Sequence, residues 1–202
     1  MVDNKSRAVF FDRDGVLNEL VYYPEEGRVG SPLSARQLRV FPNVGKIIEE
    51  VRRLDWKAVV ISNQPGVARK QFSYSEFLEM NAKVRREVKR GGGRFDGEYY
   101  CLHHPRALVA KYRIDCDCRK PKPGLLIKAA NELGIDLAKS FFVGDSLIDV
   151  KAGRAAGCRT ILIATMTDLL NRVIKREAAE PDFMLSGLDK LPSFLKSSTA
   201  IL

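Results

Sequence analysis

At 202 residues, 45% hydrophobic and 29% charged, the chain suits one well-cored domain and is short for two. No apolar run approaches the roughly 20 residues needed to cross a bilayer, and the first residues, MVDNKSRAVFFDRDG, lack the apolar core of a signal peptide, so a cytoplasmic protein with reduced or metal-bound cysteines is expected. A net charge of +9 suits an anionic partner, either nucleic acid or a small phosphorylated molecule, and equally a solvated basic surface.

Short β-branched and aromatic runs alternate with helical patterns, which predicts βα units around a mostly parallel sheet. The first strand, Ala8–Phe11, leads directly into Asp12 and Asp14, which project to the same side if the chain stays extended. Gly15 permits a tight turn beside an anion. Alone, such a D-x-D-G is an ordinary polar turn. A calcium loop starting at Asp12 fails, because Val16 and Leu17 stand where an oxygen ligand and a glycine are required. Residues 19 to 42 follow without firm periodicity and with three prolines and two glycines, as in a functional loop.

Val44, Ile47, Ile48, Val51 and Leu54 recur at helical spacing, and the strand Ala58–Ile61 comes next. Ser73 and Glu76 make a capping-box start for a helix with Phe77, Met80, Val84 and Val88 on its apolar face, and Gly91 to Gly93 end it. The basic run KVRREVKR lies on that helix as an exposed face and lacks the aromatics of a single-strand binding surface. After the strand Glu98–Tyr100, an insertion over roughly 101 to 122 holds both histidines and three of the four cysteines. A helix from Pro123 to Gly134, the strands Ser140–Val143 and Thr160–Ile163, and a short strand near Phe183–Met184 complete the pattern. The expected fold is α/β: a Rossmann-like three-layer sandwich with a mostly parallel central sheet, no large cap domain and two elaborated loops, all within one domain over 1–202.

Polar residues stand beyond several strands: Asp12 and Asp14 in FFDRDG, Ser62 and Asn63 in VISNQPG, Asp145 and Asp149 in VGDSLID. Arg119 and Lys120 precede a helix in CRKPKPG. Open α/β sheets bind ligands at such strand ends. The series DxDG, a hydroxyl after the second strand, Lys, then GDxxxD resembles the haloacid dehalogenase-like superfamily of phosphoryl-transfer enzymes over roughly residues 7 to 165. FFDRDGVLN, SNQPGVAR, CRKPKPG and VGDSLIDVKAG are similar to its branch of heptose bisphosphate and histidinol phosphatases.

The resemblance implies a Mg²⁺-dependent phosphomonoester hydrolase with an aspartyl-phosphate intermediate on Asp12. Asp14 would protonate the leaving alkoxide and then activate water, which calls for a pKa above the free value of about 3.9. Mg²⁺ would take Asp12, the backbone carbonyl of Asp14, and Asp145. Lys120 would neutralise the transferring group, the Ser62 hydroxyl would hold its oxygens, and Asn63 and Arg119 would contact substrate, Arg119 on the leaving side or at a second phosphate. Asp149 either orients Lys120 or metal-bound water, or begins the next helix.

In the Cys/His insertion, Cys101-x-His103 and Cys116-x-Cys118 supply three thiols and an imidazole, a tetrahedral Zn²⁺ set or a reduced, metal-free loop. The family resemblance favours structural zinc over about 101–118, with His103 rather than His104 as ligand, and leaves Cys158 as a core residue. The zinc loop and the 19–42 segment would then wall a small phosphorylated substrate. The expected reaction removes the 7-phosphate of a heptose 1,7-bisphosphate. Rival readings are histidinol phosphate, a 3′-phosphorylated nucleic acid, and a noncatalytic phosphate-binding module. The long 19–42 segment, and Ser146 where heptose phosphatases often carry lysine, weigh against the heptose substrate. No membrane partner is expected, and the oligomeric state stays open, a monomer included.

Overall fold

The computed structural model describes residues 5–164 and 168–198. Strand β1, Ala8–Phe11, is buried on both faces, as befits four consecutive apolar residues in a parallel sheet. Its side chains alternate: Val9 and Phe11 enter one core, Ala8 and Phe10 the other. After β1 come a hairpin of β2, Val21–Tyr23, and β3, Arg28–Gly30, then helix α1, Val44–Arg53, and strand β4, Lys57–Asn63. Helix α2, Tyr74–Arg90, strand β5, Gly97–Cys101, and helix α3, Gly124–Leu133, follow. The chain continues through β6, Phe141–Gly144, α4, Leu147–Ala156, β7, Arg159–Ile163, α5, Asp168–Glu177, β8, Phe183–Leu185, and α6, Leu191–Ser198.

Six strands pair in the order β5-β4-β1-β6-β7-β8, all parallel. Helices α1, α2 and α6 cover the face of Val9 and Phe11. Helices α3 and α4 cover the other face, where α5 packs through Ile174 against Val150 and Leu162. This is the expected three-layer α/β sandwich. Sheet growth reverses between β1 and β6, so a crevice opens beyond their carboxyl ends. Asp12 leaves β1 and Asp145 leaves β6 at that crevice.

Two local expectations change. The segment over 19–42 is not irregular throughout: Val21, Tyr22 and Tyr23 pair antiparallel with Gly30, Val29 and Arg28 around a 3-10 turn, Pro24–Glu26. Among the described residues, this hairpin is the one sheet beside the central one. The capping box at α2 is only half formed. Ser73 Oγ accepts from the Glu76 N–H, but the Glu76 carboxylate accepts from the Ala35 N–H, tying the 19–42 segment to the helix. Among the described residues, no helix is long and apolar enough to cross a membrane.

Candidate active site

Asp12, the first residue beyond β1, keeps its backbone N–H bonded to the Val143 carbonyl, so the strand pairing fixes its main chain. Lys120 Nζ lies 2.9 Å from Asp12 Oδ1 and 2.6 Å from Asp149 Oδ1, and donates to the Ile61 carbonyl at 3.2 Å. Both Lys120 and Asp149 are buried. Burial favours the neutral amine, yet Asp12 and Asp149 hold the Lys120 pKa above the ordinary lysine range. Removing one member of such a buried pair strands the other charge, at a cost of about 3–5 kcal/mol.

Asp149 Oδ2 accepts from the Ser146 N–H and Oγ–H at the start of α4, so this carboxylate both begins the helix and orients Lys120. The two alternatives read from the sequence hold together. Carboxylate oxygens of Asp12, Asp145 and Asp149 can all lie within 4.8 Å of one another. Burial, followed by the charge of Asp149 and Asp14 and offset by Lys120, pushes Asp12 up to about 6. Burial and then the charges of Asp12 and Asp149 push Asp145 up to about 7. Gly15 is required here: its φ is +85°, and a Cβ would stand 2.0 Å from Asp145 Oδ2.

Asp14 differs from expectation. Its Oδ1 accepts from Arg13 Nε, Arg13 Nη2 and Asn18 Nδ2 at 3.0–3.1 Å, and its Oδ2 from Gln64 Nε2 at 2.8 Å and Arg13 Nη2 at 3.2 Å. Burial alone would raise its pKa, but the Arg13 guanidinium and the Gln64, Asn18 and Ser31 bonds outweigh it and hold Asp14 below the usual range. The elevated pKa expected of a general acid is therefore absent in this arrangement. Arg13 itself is fully buried; its Nη1 donates to Asn81 Oδ1 at 2.7 Å and its Nη2 to Gln64 Oε1 at 2.9 Å. Sequence reasoning missed Arg13, Gln64 and Asn81. The available signal was Asn81 itself, a polar residue on the apolar face of α2 between Phe77, Met80 and Val84.

Ser62 is buried at the end of β4 and accepts from Gln64 Nε2, which leaves its own O–H free to donate. Asn63 holds Lys120: its Nδ2 donates to the Lys120 carbonyl, and its Oδ1 accepts from the Lys120 N–H, at 3.0 and 3.1 Å. Cys101, His103, Cys116 and Cys118 converge, with sulfur–sulfur separations of 3.1–3.6 Å and His103 Nδ1 3.3 Å from Cys118 Sγ. These separations approach the edges of a tetrahedron with Zn–S bonds of about 2.3 Å, and all four cysteines of the chain are free of disulfides. The cluster ends one residue before Arg119, whose Nη1 donates to the His103 carbonyl. His104 stands apart from the cluster, against Arg69 Nη2 and the Arg106 N–H. Cys158 is buried in the core at the start of β7.

Four carboxylates at this crevice, Asp12, Asp14, Asp145 and Asp149, face two buried cations, Arg13 and Lys120. A divalent cation restores the balance, and an all-oxygen donor set suits a hard ion such as Mg²⁺.

Residues 117–191 match the HAD-hydrolase-like family model. A D-glycero-beta-D-manno-heptose-1,7-bisphosphate 7-phosphatase of Yersinia pestis is 34% identical over 94% of this chain and 95% of its own length. The chain belongs to the haloacid dehalogenase-like phosphatases. The Escherichia coli K12 enzyme of the same name is also 34% identical, over 94% of this chain and 93% of that one. The crystal structure of D,D-heptose 1,7-bisphosphate phosphatase from B. bronchiseptica, complexed with magnesium and phosphate, is 27% identical. It superposes with a TM-score of 0.76, covering 95% of this chain and 99% of that one.

Proposed function

We propose that this phosphatase removes the 7-phosphate of a D-glycero-D-manno-heptose 1,7-bisphosphate, using Asp12 as nucleophile. The observation that carries this reading is the set Asp12–Lys120–Asp149, assembled beside Asp145 in a chain 34% identical to two enzymes of that name. Lys120 holds one Asp12 oxygen and compensates its charge, so an incoming phosphoryl group meets a paired carboxylate. The Ser62 hydroxyl and neighbouring backbone N–H groups bind the transferring oxygens. Asp12 attacks phosphorus and the phosphorus–alkoxide bond breaks, while Asp14, ionised in this arrangement, takes up the proton of a phosphate monoanion and passes it to the leaving oxygen. Asp14 then takes a proton from the water that hydrolyses the aspartyl-phosphate. Asp12, Asp145 and the Asp14 carbonyl are the ligands we assign to Mg²⁺, with Asp149 beside them. Bound there, the ion would offset the repulsion between phosphate and carboxylates.

Cys101, His103, Cys116 and Cys118 are the ligands we assign to a structural Zn²⁺, whose four protein donors leave no position for substrate. Its role is to order the loop before Arg119 and Lys120, within one domain spanning the chain. Support for a bisphosphate comes from Arg69: burial, then the charges of Arg119, Arg106 and Arg28, press its pKa down, so these cations lie close enough to act on one another. Arg28 and Arg69 also line a cleft of about 400 Å³ between the hairpin and the turn after β4. A second phosphate would relieve this repulsion, and Arg119 is the contact we assign to it.

A phosphate-release panel tests the substrate. Heptose 1,7-bisphosphate, histidinol phosphate and a 3′-phosphorylated oligonucleotide are compared with and without Mg²⁺. The proposal expects the heptose ester to give the highest kcat/KM, only with Mg²⁺, and a heptose 1-phosphate product by phosphorus NMR. A preference for histidinol phosphate or the oligonucleotide would overturn it.

A further inference from the structure

We propose that Arg13, anchored by Asn81 on α2 and by Gln64 after β4, is the positioning residue for the acid/base carboxylate Asp14. The inference rests on the phosphatase reading and assigns a role to Arg13 and Gln64, which had been given none within their motifs, and to Asn81, which lies outside them. Asp14 sits in a turn that has already left β1, beside Gly15 with its positive φ, so strand pairing does not fix its side chain. What holds it, beside Asn18 Nδ2 on Oδ1 at 3.0 Å, is the fork of Arg13: Nε and Nη2 both reach Oδ1 at 3.0–3.1 Å, and Nη2 also reaches Oδ2 at 3.2 Å.

A fork on a long side chain aims its target only if the guanidinium is itself held. Arg13 is fully buried, and the remaining donors are held on two elements: Nη1 by Asn81 Oδ1 at 2.7 Å, Nη2 by Gln64 Oε1 at 2.9 Å. Gln64 closes the ring, since its Nε2 donates to Asp14 Oδ2 at 2.8 Å and to Ser62 Oγ at 3.2 Å. Asn81 is buried among the apolar residues of its helix, where a leucine would pack without desolvating an amide. Its bond to Arg13 accounts for an amide at that position. The chain of contacts therefore runs from the body of α2 through Arg13 to Asp14, and a side branch reaches the phosphate-binding Ser62.

The role is tested by separating proton delivery from the rest of catalysis. An alkyl phosphate needs its leaving oxygen protonated, whereas p-nitrophenyl phosphate releases a stable phenolate without help. Asn81→Leu removes the anchor and keeps the number of side-chain heavy atoms; Asn81→Asp restores an acceptor for Arg13. For Asn81→Leu, kcat/KM on heptose 1,7-bisphosphate is expected to fall about tenfold or more, and on p-nitrophenyl phosphate less than about threefold. Asn81→Asp is expected to return the alkyl value to within about threefold of wild type. Asn81→Ala, which removes the same anchor without adding bulk, should show the same split if Asn81→Leu fails to fold by thermal melting. Equal losses on both esters, no loss, or a gain on the alkyl ester would overturn the positioning role. An inert heptose ester would count against the substrate reading alone, and histidinol phosphate, also an alkyl ester, then carries the comparison.

Discussion

Asp12, Asp145 and Asp149 are legible in the sequence because each stands at or just inside an element end that strand order brings to one crevice, and Lys120 because it precedes a helix, on a loop that Asn63 holds. Gly144 shows how little slack that convergence has. A Cβ on Gly144 would stand 2.2 Å from the Cβ of Asp149, so Gly144→Ala must push Asp149 away and take its hold on Lys120 with it. We expect that variant to fold with a lowered melting midpoint and to lose about 10²-fold in kcat, as misplacements near 1 Å do. Unchanged kcat would show that the Asp149–Lys120 contact does not matter to turnover. The Arg13 network was hidden for a physical reason. Its partners, Asn81 and Gln64, lie 68 and 51 residues away along the chain, and no local spacing encodes where a buried guanidinium will turn.

Among the elements, the four inner strands β4, β1, β6 and β7 follow the apolar patterning closely, because burial on two faces demands continuous β-branched and aromatic runs. The hairpin β2–β3 escaped because its strands are three residues long, too short for alternation to register. Tertiary contacts hold the segment after it instead: Lys83 Nζ and the Glu76 carboxylate, both on α2, bind the carbonyl and N–H of Ala35. The Cys/His loop was visible as a ligand set, and its placement one residue before Arg119 gives it a mechanical consequence. We expect Cys116→Ser to lower the zinc content measured by elemental analysis, lower the melting midpoint, and reduce kcat at least about tenfold through disorder at Lys120. Zinc-free protein with full activity would refute the structural role.

At the scale of the whole molecule, the reversal of sheet order between β1 and β6 gathers four carboxylates at one crevice with two cations among them. The pKa of Asp12, raised to about 6, and that of Asp145, raised to about 7, mean that the folded state binds more protons than the unfolded chain above pH 4. Each of these groups therefore costs stability as pH rises through about 4 to 7, and a divalent cation that takes the place of those protons gives it back. Mg²⁺ should raise the melting midpoint more at pH 8 than at pH 6; an equal shift at both would contradict the assignment of the carboxylates as its ligands. The central claim, that Asp12 carries the phosphoryl group, has a direct measurement. Wild type and Asp12→Asn are mixed with heptose 1,7-bisphosphate and Mg²⁺, quenched in acid within one turnover, digested and examined by mass spectrometry. The account predicts a hydroxylamine-labile phosphoryl group on the Asp12 peptide of wild type, and neither that adduct nor released phosphate from Asp12→Asn. Phosphate release by Asp12→Asn at the wild-type rate, or a phosphoryl group on another residue, would contradict it.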